Sequence, residues 1–329
     1  MASDYAYNPR MELIITGALP PASVADETAR HLADAAPLLQ RLFEHAVAQV
    51  HLADPDQTGC TAYEVWLLEK YRFAPDAAQT TCAGLAPILA PGGPADEPVW
   101  LFQLAHFGLS QSGAHMLTAE DIAVTEQESL ALYESASDIF TDTPFVLKVH
   151  TPQGWTVDVP DGFALASRSP SLIAGADLSH VWPQDDAVKP LRRLLSELQI
   201  AWHHHPVNEI RRQSRLPVIN GGWLFGGARP EQLSAPERAL PFTLRALEAA
   251  HRQHQWGHWL AQLPGVEQQL TQQLGAALRP ELSGNPVTRP VKLILTGTDR
   301  WVTLTLEPTP ALLKWLPGKR KQWKQWWSQ

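Results

Sequence analysis

The span His205-Pro206-Val207-Asn208-Glu209-Ile210-Arg211-Arg212, followed after Pro217 by Asn220, collects an imidazole, two amides and two guanidinium groups in one short stretch. Guanidinium is a planar fork suited to bidentate contact with phosphate or carboxylate. Asparagine bridges backbone groups in turns. If an anion site exists here, its residues are His205, Asn208, Arg211, Arg212 and Asn220, with the two arginines supplying the charge. The competing reading is a hydrogen-bonded loop network that holds the chain in place, with His205 fixing the loop ahead of Pro206.

Histidine offers a second chemistry, because neutral imidazole is a common zinc ligand. His203, His204 and His205 are consecutive. Successive helical side chains point about 100 degrees apart, so three neighbours cannot converge on one ion, and help would be needed from His180, His106 or His115. His251, His254 and His258 have the three and four spacing that aligns side chains on one helix face. That spacing makes them the alternative metal set, for a divalent ion such as Mn or Zn. Trp256 and Trp259 flank them, so the competing reading is a packing face with a polar edge. No Gly-x-Ser-x-Gly elbow, Walker loop or dinucleotide fingerprint occurs, and no nucleophile is identified.

The elements that must position these groups are legible as apolar periodicity. Leu13-Ile14-Ile15 reads as a short buried strand, and Ser23 to Val50 carries apolar residues near helical spacing up to Val47. Thr61 to Tyr71 reads as a helix with core aromatics, and Val99 to Phe107 as a strand. Thr125 with Glu128 is a capping-box pattern opening a helix to Phe140. Phe145 to His150 and Trp155 to Val159 read as strands, and Ala187 to His204 as a helix with an apolar stripe that delivers the chain to His205. Glycine pairs bracket Trp223-Leu224-Phe225, a pattern for a buried strand whose backbone is closely approached. Val291 to Leu295 and Val302 to Leu306 return as strands, so the strand around Ile14 is expected to pair with the one around Ile294 in a single sheet.

The 329-residue chain, with 44% hydrophobic and 18% charged residues, can bury a large core in two lobes. A net charge of −8 argues against nucleic acid as a partner. Cys60 and Cys82 form no metal-type spacing, which is expected of a reducing, cytoplasmic location, and no apolar run is long enough for a transmembrane segment. From Lys314 to Gln329, Lys314, Lys319, Arg320, Lys321 and Lys324 interleave with Trp315, Trp323, Trp326 and Trp327. This tail either contacts an anionic surface or docks its tryptophans onto the body.

The motif His-Pro-Val-Asn-x-x-Arg, with Asn220 and the Trp223 region, resembles the signature of archaeal-type cofactor-independent phosphoglycerate mutases of the alkaline phosphatase superfamily. The likeness extends upstream through Asp121 to Leu130 and covers residues 99 to 230, the family's inserted lobe. It is closest to a bacterial group labelled phosphoglycerate-mutase-like or regulatory RpfE-like. The resemblance implies an α/β fold: a reduced alkaline-phosphatase-like core over 1–98 and 231–313, an inserted α+β capping lobe over 99–230, and the basic tail 314–329. The family's metal ligands lie in the flanking halves, where this sequence departs. Its first strand runs into Thr16-Gly17 without an aspartate, and its late strand runs through Thr296-Gly297-Thr298 into Asp299-Arg300. The expectation is a catalytically degenerate, cofactor-free relative that binds a protein partner or a phosphorylated small molecule. The alternative is an active metal-dependent phosphotransferase, phosphomutase or hydrolase with ligands rearranged among His251, His254, His258, His180 and Asp299.

Overall fold

The computed structural model describes residues 11–110, 113–151, 154–174, 176–182, 185–236, 239–278, 286–308 and 321–328. It is a mixed α/β protein with two sheets. The chain divides into a first unit, residues 1–53 with 238–329, and a second unit, residues 54–237. The first unit is therefore discontinuous, as the β-excursion-β order requires. Its boundaries lie at 53/54 and 237/238, whereas the resemblance implied 98/99 and 230/231.

The first unit is built on strands β1 (Met11–Ile15) and β2 (Val47–Leu52), which lead the chain, and on β8 (Phe242–Leu244), β9 (Val291–Thr296) and β10 (Arg300–Leu306) near its end. Strands β3 (Val99–Ser110), β4 (Gly113–Thr118), β5 (Val146–Thr151), β6 (Gly154–Asp158) and β7 (Gly221–Ala228) belong to the second unit. The first sheet has the order β2-β10-β9-β1-β8. β1 is parallel to both β8 and β9, with Ile14 opposite Ile294. β9 and β10 form an antiparallel pair, and β2 closes the edge.

Leu13, Ile15, Leu293 and Leu295 pack with Leu32, Leu42, Phe43, Leu263 and Leu270 from the helices Ala22–Ala35, Pro37–His45 and Trp256–Leu274. Glu267 accepts from the backbone N–H groups of Leu38 and Leu39, at 2.5 and 3.1 Å, and so satisfies donors that a helix start leaves open. The helical reading of Ser23 to Val50 fails beyond His45. Proline at position 37 splits the helix, and Ala46 turns extended. Val47 is then the first residue of β2, and its side chain is exposed.

The second unit's sheet is antiparallel, with the order β4-β3-β6-β5 and β7 on the far side of β3. The capping box of Thr125 with Glu128 forms as read, and a second one, Thr61 with Glu64, opens the helix Ala62–Lys70. Residues 54–98 fall in this unit because their helices and turns pack on β7 and its neighbours. Gln79 donates to the Gly227 carbonyl at 2.7 Å, and Ser169 N–H donates to the Gly59 carbonyl at 2.8 Å.

The glycine at 226 has a physical reason. Its φ is +118, and a Cβ there would sit 2.5 Å from the Val99 carbonyl oxygen and 2.6 Å from Ala86 Cβ. The β3–β7 register shifts at Val99/Trp100, beside this residue. Gly226→Ala is expected to cost about 1–3 kcal/mol by overpacking and backbone strain, read as a lower urea midpoint. An unchanged midpoint would show that the bulge relaxes around a methyl group.

Candidate functional site

Proline at 206 starts the helix Pro206–Gln213, and His205 caps it, its Nδ1 accepting from Val207 N–H at 3.3 Å. This helix lies within the second unit and presents Asn208 and Arg211 inward, both 1% exposed. Asn208 donates to the carbonyls of Trp202 and Ile219 and accepts from Ile219 N–H, each at 2.8 Å. Arg211 Nε donates to the Pro217 carbonyl at 2.7 Å, and Nη1 bridges both oxygens of Glu128 at 2.8 and 2.9 Å. Arg211 Nη2 donates to the Ile122 carbonyl. Asn220 accepts from Phe107 N–H at 2.7 Å and donates to the Phe107 carbonyl at 2.8 Å, taking the place of a strand neighbour to β3.

Asn208, Arg211 and Asn220 therefore clamp the turn at 214–220 between the helix, β3 and the start of β7. An anion at Arg211 would have to displace Glu128 from Nη1, since Nε and Nη2 are already committed to backbone carbonyls. Arg212 points elsewhere, donating to the His203 carbonyl at 2.8 Å and to Glu209 at 2.6 Å on the surface. Of the five sequence candidates, Asn208, Arg211 and Asn220 face the turn at 214–220, whereas His205 caps the helix and Arg212 pairs with Glu209 on the surface.

Glu128 is the residue that sequence reading missed in this cluster. Its capping box with Thr125 was legible, but its pairing with Arg211 spans 83 positions and leaves no local signal. Burial pushes the Glu128 carboxyl up, but the Thr125 N–H and the Arg211 guanidinium outweigh it and hold the group below the ordinary glutamate range.

The first unit holds the other place where chemistry is expected, since ligands in open α/β sheets gather beyond the carboxyl ends of the parallel strands. β1 runs into Thr16-Gly17, β8 into Arg245, and β9 ends at Thr296 ahead of Gly297. Glu248 is a half-buried carboxylate at these ends. It accepts from Thr16 Oγ1 at 3.0 Å and from Arg245 Nε at 2.8 Å, and Arg252 Nη1 lies at 3.7 Å. Burial raises its pKa, but Arg245, Thr16 and Arg252 lower it further, so it stays ionised and balanced by arginine. Asp299 is mostly exposed and pairs with Arg300 at 3.1 Å.

The sequence-aligned histidines are separated by the fold. His251 lies in the helix Glu248–Arg252 and His258 in the helix Trp256–Leu274, while His254 occupies the break between them at φ 54. The expected single helix face is not formed, because the left-handed residue redirects the chain. His251 Nε2 contacts the Leu19 carbonyl at 2.7 Å, which assigns its proton to that nitrogen. Burial lowers its pKa, so the ring is neutral. His258 shares a 3.3 Å contact with Gln262. His106 contacts the Val218 carbonyl at 2.8 Å, and the side chain of His180 lies outside the described residues.

Two divalent ions a few ångströms apart need several carboxylates and imidazoles around them. Among the described residues, no three His, Cys, Asp or Glu side chains are grouped to hold even one. Threonine, glycine and an arginine-neutralised glutamate at the strand ends do not fit a two-metal centre.

No family model matches the sequence, and no curated protein matches it. Among solved structures, the PH0037 protein of Pyrococcus horikoshii is similar at 13% identity over 96% of this chain and 92% of that one, with a TM-score of 0.46. The cofactor-independent phosphoglycerate mutase of Thermoplasma acidophilum is similar at 12% identity over 96% and 94%, with a TM-score of 0.36. Neither likeness transfers the role of any residue to this chain.

Proposed function

We propose that this chain is a catalytically degenerate relative of the cofactor-independent phosphoglycerate mutases that serves as a binding or regulatory protein. The observation that carries the reading is the donor set at the ends of β1, β8 and β9, where Thr16, Gly17, Thr296 and Gly297 stand and Glu248 is held by Arg245 and Arg252. A phosphoryl-transfer site of the two-metal kind places its carboxylates against metal ions, whereas this one places its carboxylate against guanidinium groups. What persists is the inserted-lobe motif, and its polar side chains serve packing. Its partner is a small molecule or another protein. Cytoplasmic residence is part of the proposal, and the free, buried thiols of Cys60 and Cys82 are compatible with a reducing compartment. Among the described residues, no helix is long and apolar enough to cross a membrane.

The test is phosphoglycerate interconversion and phosphate-monoester hydrolysis by the purified chain with added manganese, cobalt or zinc. No turnover above the metal-only blank is expected. Metal-dependent turnover that disappears in Glu248→Gln or Asp299→Asn would overturn the reading and install rearranged ligands in its place.

A further inference from the structure

Ser129 lies in the first turn of the helix Glu126–Thr141, and His150 lies on β5, 21 positions further along the chain. The fold brings Ser129 Oγ to 3.0 Å from His150 Nε2. The indole N–H of Trp155, on the neighbouring strand β6, meets the same oxygen at 3.1 Å. Ser129 and His150 both line a cavity of about 230 Å³ in the second unit, with Leu104, Ala119, Val124 and Glu126 around them. We propose that Ser129 and His150 form a nucleophile–base pair that takes the acyl group from small, uncharged carboxylic esters entering this cavity.

Trp155 sets the direction of the proton. An indole N–H can only donate, so it occupies a lone pair of the Ser129 oxygen and leaves the hydroxyl proton for His150, whose Nε2 is the acceptor within reach. That is the arrangement a general base needs, with its lone pair on the proton that leaves as the nucleophile attacks. The same indole N–H stabilises negative charge as it develops on the oxygen. Trp155 is fully buried, and Tyr133 meets the His150 ring edge-on at 5.8 Å while its own hydroxyl donates to the Lys148 carbonyl at 2.8 Å. Both neighbours of the pair are therefore held in place, while Ser129 and His150 themselves are half-buried at the cavity wall.

In the reaction, Ser129 Oγ attacks the ester carbonyl carbon as its proton passes to His150 Nε2, and the tetrahedral adduct expels the alcohol, which leaves with that proton. Water then attacks the acyl-serine and gives a proton to His150, and the carboxylic acid departs as Ser129 takes that proton back. Leu104, Ala119 and Val124 suit an apolar acyl group, and the carboxylate of Glu126 disfavours an anionic substrate. Among the described residues no carboxylate contacts His150, so the pair lacks the group that orients the base in a full triad, and slow turnover is expected. This chemistry needs neither a phosphate ester nor the strand ends of the first unit. It goes beyond the proposed binding role and is read separately from the loss of mutase activity.

The experiment exposes the full chain to p-nitrophenyl acetate, follows nitrophenolate release, and maps the acetyl group by peptide mass spectrometry after a rapid acid quench. Release above the buffer blank and an acetyl group on Ser129 are expected. His150→Gln should slow release about 100-fold or more, the share that a positioned base supplies, and Ser129→Ala should return it to the blank. Mapping on the unaltered chain tests the pair even if a variant fails to fold. Acetyl groups found only on other side chains, or release that keeps its rate in folded Ser129→Ala or folded His150→Gln, would overturn the proposal.

Discussion

Arg211→Ala is expected to destabilise the second unit by about 2–4 kcal/mol, because it empties a buried guanidinium site and leaves the half-buried Glu128 and the carbonyls it held without their donor. The guanidinium is 1% exposed and grips both oxygens of Glu128 while donating to the carbonyls of Pro217 and Ile122. The buried Ile122 carbonyl, the half-buried Pro217 carbonyl and a carboxylate would lose donors at once. Arg212→Ala, on the surface beside Glu209, is the internal control and should stay within about 0.5 kcal/mol of the parent.

The pH dependence follows from Glu128, whose folded pKa is depressed. Its contribution is present above the unfolded glutamate value and is lost as pH falls through the lower folded value. The stability gap between the parent and Glu128→Gln should therefore narrow on acidification below about pH 4. Urea denaturation across pH measures both effects. Arg211→Ala with parental stability and lost anion binding would return this residue to the ligand-site reading.

Truncation before Lys321 is expected to cost the first unit most of its stability. Trp323, Trp326 and Trp327 are 6, 8 and 1% exposed, and their rings surround Phe43 at 5.6, 5.1 and 5.6 Å. Trp327 also donates its indole N–H to the Ala25 carbonyl at 3.0 Å, and its own carbonyl accepts from Arg300 at 3.1 Å. Trp327→Ala alone should cost about 3–5 kcal/mol, a large share of the roughly 5–15 kcal/mol that holds a domain together. The lysines described here, Lys321 and Lys324, remain exposed, while Lys314, Trp315, Lys319 and Arg320 lie outside the described residues. A truncated chain with unchanged melting temperature but lost salt-sensitive binding to anionic vesicles would restore the contact-surface reading of the tail.

The strand and helix pattern was written locally, and so it was legible. Alternation and apolar runs marked β1 and β9, the Thr125–Glu128 spacing marked a helix start, and the order of elements placed Ile14 beside Ile294. Local punctuation misled only where a long-range partner or a single backbone angle decided the outcome. Val47 had helical spacing, but its antiparallel pairing with β10 made it strand. His251, His254 and His258 had helical spacing, but a left-handed residue at His254 divided them between two helices.

The roles of the polar residues were decided entirely by tertiary structure. A guanidinium in sequence carries charge without an address, and only the fold brings Glu128 to Arg211 across 83 positions. The tryptophan tail shows the same physics from the apolar side, because its composition suits a membrane surface and a core equally well. Phe43 and the helix Ala22–Ala35 offer the apolar surface that settles its three described tryptophans in the core.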